Sequence, residues 1–350
     1  MITQLVEITQ GFFIILILFF LIKILYFVMI KIYGKTKSFL GVIIEGSEYY
    51  WIWRWKKFHN TKKLDYEKID EYNFERGWTL IPNLKNKLHY AAVINSDKDG
   101  SRGKNKINSN KKVLFYGDSF CFGEGVDDEE TIPAFFEKKF KNIKSINYGV
   151  HGYGIDQQYL FLKDTISKHN PNLTCFIIVD NDFRRNFMDF RDYAKPKFIL
   201  KDGKIVLTNT PVPKPEDILK NKKLSLLKLL LEFPKHFLIY YGIIEKRERT
   251  NISNLILDKI KEETKKQNSE LIFIYINDAR RNWWYKSYID SYFIKTFKRK
   301  NIRYLYLEEI FGKKKLNSLF DTLSGHFSAE GNKLIAEKLA EYIKSEGIIK

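Results

Sequence analysis

Hydrophobic and polar positions fall in blocks along this chain of 350 residues, and the blocks predict its elements. From Gly11 to Ile30 the residues are almost wholly apolar, with Lys23 the single charge. About 20 such residues cross the hydrocarbon core of a bilayer, so a transmembrane helix is expected over residues 11–31, behind a short tail at 1–10. A cleaved signal peptide fits less well: the run is long, no basic residues precede it and no small-residue cleavage site follows. Lys31, Lys35 and Lys37 follow the span and Glu7 precedes it, a charge bias that places the larger part of the chain in the cytoplasm.

Residues 32–109 hold no clean period and read as a connecting and packing region. The alternation Trp51, Trp53, Trp55 suggests a strand packed on the main domain. After Lys112 a repeating order begins: strand (Val113 to Tyr116), helix (Ile132 to Phe140), strand (Ser145 to Asn147), helix (Ile155 to Lys168), strand (Cys175 to Val179). Such alternation predicts a parallel sheet covered by helices on both faces. Phe198 to Leu200 and Ile205 to Leu207 flank Lys201-Asp202-Gly203-Lys204 and predict a hairpin. A helix from about Leu224 to Ile244 carries Lys228, Glu232, Pro234, Lys235 and His236, too polar for a second span, so an amphipathic helix or lid is expected. Hairpin and helix together form an insertion at about 196–245. The order resumes with a helix to Gln267, a strand at Leu271 to Ile276, a helix near Tyr288 to Lys298, a strand at Tyr304 to Leu307 and a last helix from Ser328.

Composition changes this picture little. The net charge of +18 comes from lysines scattered through every segment, without clustered aromatic platforms, so no nucleic-acid partner is expected. Cys121 and Cys175 are the only cysteines, which implies no disulfide framework and leaves the compartment open. No His or Cys pair stands at ligand spacing, so neither a metal nor a cofactor is expected.

Candidate chemistry gathers at the strand ends. Ser119 follows Gly117-Asp118 at the carboxyl edge of the first sheet strand, where open α/β proteins hold their ligands. A Gly-Asp-Ser triplet alone is a weak signal, but Phe120-Cys121-Phe122-Gly123-Glu124-Gly125-Val126 extends it. After the next strand comes Asn147-Tyr148-Gly149-Val150-His151-Gly152-Tyr153-Gly154, whose glycines let backbone amides approach a ligand or make a tight turn. Asn181 lies at the end of the third strand, able to donate to an oxyanion or cap the following segment. His326, in Asp321-Thr322-Leu323-Ser324-Gly325-His326, precedes the last helix.

In this order the blocks resemble the SGNH hydrolase superfamily, the GDSL-like esterases and lipases, from about Asn73 to the last helix. Glu75-Arg76-Gly77-Trp78, Ile81-Pro82-Asn83, Asn95-Ser96 and Gly100-Ser101-Arg102-Gly103 resemble the lead-in of membrane-anchored bacterial members. The resemblance implies a flavodoxin-like three-layer α/β/α domain over 110–350, with Ser119 as nucleophile, His326 as general base, and Ser119, Gly152 and Asn181 forming the oxyanion hole. Two positions depart from the family pattern. Val179 stands where Gly usually precedes the Asn by two residues, and Leu323 stands three before the His, where the acid usually sits. Asp321 is the nearest upstream carboxylate, and a bulge at Ser324-Gly325 would carry it to Nδ1 of His326; a Ser–His dyad is the alternative. His151 is a candidate substrate contact, although a His in such a loop is more often a packing residue.

The implied function is a serine-dependent ester hydrolase, working through an acyl-serine intermediate on an acylated carbohydrate or small ester. An O-acyltransferase acting on envelope polysaccharide is the alternative on the same machinery, and a catalytically silent binding or scaffold protein is the alternative of another class. Kinship implies a single-pass membrane protein with its domain outside the cytoplasm, against the charge bias of the flanks. The oligomeric state is not implied.

Overall fold

A computed structural model describes residues 69–104, 107–214, 217, 246–277, 283–321 and 324–349, which belong to one compact unit, Gly46–Lys350. The span expected at 11–31, its tail, the Trp51 to Trp55 alternation and the helix expected at 224–244 lie outside the described residues. Among the described residues, no helix is long and apolar enough to cross a membrane.

Two antiparallel hairpins come first: β1 (Asp70–Asn73) with β2 (Gly77–Leu80), and β3 (Lys87–His89) with β4 (Ala92–Ile94). The α/β order then runs through β5 (Lys111–Gly117), α1 (Ser119–Phe122), α2 (Ile132–Glu137), β6 (Ile143–Gly149), α3 (Ile155–His169), β7 (Leu173–Val179) and α4 (Asp180–Arg185). The expected hairpin is β8 (Lys197–Lys201) with β9 (Lys204–Thr208). It turns through Asp202 and Gly203 at φ +50° and +73°, the left-handed pair that matches strand twist in a two-residue loop. Then come α5 (Lys246–Lys266), β10 (Glu270–Ile276), α6 (Trp283–Arg299), β11 (Arg303–Tyr306), α7 (Leu307–Ser318) and α8 (Ala329–Ser345).

Five strands form one parallel sheet in the order β11-β10-β7-β5-β6. This is the doubly wound order of flavodoxin-like folds, as expected. From β5 the chain steps outward to β6, then crosses back over β5 to β7, so the direction of winding reverses between β5 and β7. A central parallel strand is covered on both faces and has no polar side to show. Accordingly every residue of β7, Leu-Thr-Cys-Phe-Ile-Ile-Val, is buried.

Alternate side chains feed the two layers. On one face Val113, Phe115, Cys175 and Ile177 pack with Ile132 and Phe136 of α2, Leu316 of α7, and Ile335, Leu339 and Ile343 of α8. Those α8 positions are four apart, the spacing of a single buried stripe. Ser328 caps this helix by accepting from Gly331 N–H at 3.1 Å. On the other face a row of rings runs across the strands: Tyr148 and Tyr116 (centroids 5.5 Å apart), Tyr116 and Phe176 (5.3 Å), Phe176 and Phe273 (5.0 Å).

The segment after α4 is anchored by a fully buried ion pair. Lys195 Nζ lies 2.5 Å from Asp156 Oδ2 at the start of α3, with both side chains wholly sequestered. Lys195 also donates to the carbonyls of Pro196 (2.9 Å) and Met188 (3.3 Å). Burial pushes the Lys195 ammonium down and the Asp156 carboxyl up, each opposed by the other's charge. Removing one partner strands the other charge, so Lys195→Met should destabilise by about 3–5 kcal/mol. Urea unfolding checks this, and adding Asp156→Leu should recover much of the loss.

Candidate active site

Strand β5 ends at Gly117, and the next residue starts a sharp turn into α1. Asp118, wholly buried, caps that turn by accepting from Phe120 N–H at 2.9 Å. Ser119 follows as the first helical residue. A helix of four residues has too few internal bonds to fix itself, and its neighbours supply what is missing. Asn147 of β6 donates to the Cys121 carbonyl at 2.9 Å. Arg102, buried, donates to the carbonyls of Phe122 (2.6 Å), Gly123 (2.5 Å) and Val126 (2.5 Å), and pairs with Asp128 at 3.0 Å. Gly149 is required by proximity, since a Cβ there would lie 2.2 Å from the Phe122 nitrogen.

Behind the turn, one guanidinium gathers three loops. Arg185 Nη1 lies 3.0 Å from Asp118 Oδ2, 2.7 Å from Asp182 Oδ1 and 3.0 Å from the Tyr153 carbonyl. These groups follow β5, β7 and β6 respectively. Burial, together with the Asp118 charge, pushes the Asp182 carboxyl well above the usual carboxylate range.

His326 meets this turn from the loop ahead of α8. Its Nε2 lies 2.8 Å from Ser119 Oγ, across 207 residues of sequence. The ring rests against Phe120, with centroids 4.9 Å apart. An imidazole nitrogen at that distance can take the hydroxyl proton as the oxygen attacks.

The surroundings of Nδ1 differ from expectation. Gly325 does bulge, at φ +74°, but the bulge turns the Ser324 carbonyl toward Nδ1 at 3.1 Å. The Asp321 carboxylate instead accepts from Ser324 N–H at 2.6 Å, while the Asp321 N–H donates to the His326 carbonyl at 2.7 Å. Its side chain is thus a turn-former for the loop that presents His326. The physical reason is length: an Asp five residues upstream closes a local turn before its short side chain extends to the ring.

The expected oxyanion donors stand on the neighbouring strand ends. Gly152 follows β6 at φ +77°, a region glycine enters without strain, and a Cβ there would meet the Arg191 guanidinium at 2.5 Å. Asn181 lies in the first turn of α4, where its Oδ1 accepts from the Arg184 guanidinium. An arginine only donates, so this contact identifies the amide oxygen, and Nδ2 is the donor end of the side chain. His151 is turned to the first hairpin: its Nε2 lies 2.9 Å from Asp70, and its carbonyl accepts from Trp78 Nε1 at 3.0 Å.

Arg102, Arg184, Arg185 and Glu124 were not singled out for the site by sequence. Arg102 lay within the lead-in resemblance and Glu124 within the run after Ser119, while nothing marked the two arginines of Asp180-Asn181-Asp182-Phe183-Arg184-Arg185.

No family model and no curated protein matches the chain. Among solved structures it is similar to TesA, at 11% identity over 68% of this chain and 100% of that one, with a TM-score of 0.43. It is also similar to the psychrotrophic esterase EstA from Pseudoalteromonas sp., at 13% identity over 67% and 97% with a TM-score of 0.43. A third is a catalytic mutant of Axe2, an acetylxylan esterase from Geobacillus stearothermophilus, at 16% identity over 68% and 96% with a TM-score of 0.40. Likeness this distant does not assign a reaction.

His89, on the second hairpin, stacks over His151 with centroids 6.2 Å apart. Burial, and then the charge of His151, pushes its pKa down to about 4 from an ordinary 6.5. A folded pKa below the unfolded one means that the unfolded chain binds the extra proton, so stability falls as pH drops from 6.5 toward 4. Urea titrations across that window should show His89→Gln flattening the decline by on the order of 1 kcal/mol, the ring being partly open to water.

Proposed function

We propose that the chain is a serine-dependent acyl hydrolase of the SGNH type. The Ser119–His326 contact at 2.8 Å carries the reading, because it joins two blocks far apart in sequence in the geometry a nucleophile and base require. Ser119 Oγ attacks the ester carbonyl while His326 Nε2 takes its proton. The negative charge that develops on the carbonyl oxygen is met by Ser119 N–H, Gly152 N–H and Asn181 Nδ2. His326 then gives the proton to the departing alkoxide, and water repeats the sequence on the acyl-serine.

Support for the oxyanion roles is positional. The donors follow β5, β6 and β7, which are adjacent and in register, Gly117 opposite both Gly149 and Ile177. The substrate class that motif kinship suggests is an O-acyl group on a carbohydrate or a small ester. The apolar run at 11–31 supports attachment to a membrane by one helix.

On a short-chain nitrophenyl ester, Ser119→Ala and His326→Ala should each lower kcat at least a thousandfold. Asn181→Ala should lower kcat about 10²–10³-fold with KM little changed. Wild-type turnover no faster than that of Ser119→Ala would refute the hydrolase for this substrate class. Supplying a labelled acetyl ester with a glycan acceptor decides water against transfer: label on the glycan rather than in free acetate replaces hydrolysis by acyl transfer.

A further inference from the structure

The carboxylate that faces the reacting nitrogen of His326 is Glu124. It sits in the loop just beyond α1, between Gly123 and Gly125, at φ +84° and +87°. Its backbone N–H is tied to the Ser119 carbonyl at 3.0 Å, so its position is coupled to the nucleophile's own turn. Glu124 Oε2 lies 3.8 Å from His326 Nε2, with side chains only 15% and 19% exposed. Among the described residues the Glu124 carboxylate makes no hydrogen bond, and the imidazole becomes its ion-pair partner when protonated. The two loops are held together beside this pair, where a Cβ on Gly125 would lie 3.3 Å from Ser324 Cβ.

Resting on the hydrolase reading above, we infer that Glu124 supplies the negative charge that favours the His326 imidazolium, the part a carboxylate on Nδ1 would otherwise play. With Nδ1 on the Ser324 carbonyl, the ring is oriented by a neutral acceptor that contributes no full charge. When the Ser119 oxygen bonds to the acyl carbon, the carbonyl electron pair moves onto its oxygen and the hydroxyl proton moves to Nε2. The resulting positive ring then lies beside a negative carboxylate at ion-pair distance, in a site with little water to screen them. The proton stays on Nε2 until it passes to the leaving alkoxide, and Glu124 itself takes no proton.

Other charges act on Glu124. His89 faces it from the second hairpin, and Arg102 from the segment after it. Arg102 is committed to Asp128 and three carbonyls, and His89 stays neutral near pH 7, so neither cancels the carboxylate on the His326 side.

On a nitrophenyl ester, Glu124→Gln in the full chain should lower kcat about tenfold with KM little changed, Glu124→Asp should restore most of the loss, and Asp321→Asn should lower kcat less than about threefold. A kcat unchanged by Glu124→Gln, or lowered more by Asp321→Asn, overturns the inference. Turnover that Ser119→Ala leaves intact overturns the hydrolase instead.

Discussion

The buried guanidinium of Arg185 is the interaction on which the site depends. Parallel strands bring their carboxyl ends to one edge of the sheet, but strand pairing stops there, and the loops beyond need another source of order. At the reversal point between β5 and β7, Arg185 binds Asp118, Asp182 and the Tyr153 carbonyl, so the ends of three adjacent strands share one cation. Two carboxylates brought this close would repel each other without it. Asp118 in turn caps the turn that holds Ser119, and Asp182 also accepts from the Val179 amide at 3.3 Å. The nucleophile and the candidate oxyanion donors thus inherit their spacing from a charge cluster beneath them.

Charged groups hidden from water are a costly way to build a core, since well-packed apolar residues often serve stability as well. Here they lie where precision is needed rather than through the sheet. The layers on either face are apolar or aromatic, and the ionic contacts gather under the strand ends: Arg185 with two carboxylates, Arg102 with Asp128, Lys195 with Asp156. Each fixes a loop by direction as well as distance, which dispersion alone does not do.

Legibility in the sequence followed the range of the interaction. Sheet strands and helices were readable because each buries its own face, and β7, wholly buried, was the plainest. Helix α7 was not foreseen: a glycine at φ +72° interrupts it, and lysines crowd its later turns, so its apolar stripe is broken. Ser119 and His326 were found because their blocks carry a pattern, and the fold brought them together. Asp321 shows where pattern runs out. Whether an Asp reaches an imidazole or a nearer amide is decided by loop geometry, and here the amide wins. Glu124, Arg184 and Arg185 stand inside or beside the motif blocks, but which side chain they meet is fixed only in three dimensions.

The stretch before the sheet, expected to connect and to pack, supplies contacts that the α/β layers cannot make for themselves. Arg102 closes the loop after the nucleophile, and its own amide bonds the Asn147 carbonyl on the edge strand at 2.8 Å. Trp78 holds the glycine-rich loop through the His151 carbonyl, Asp70 holds the His151 ring, and Gln157 at the start of α3 donates to the Arg76 carbonyl at 2.8 Å. Arg102 forms a bridge to Asn147 on the outer side of the edge strand β6, and the first hairpin holds the loop after that strand through Trp78 and Asp70. A fragment begun near residue 110 would keep every strand of the sheet and still lack Arg102, whose hydrogen bonds hold the turn after Ser119 against the strand that follows.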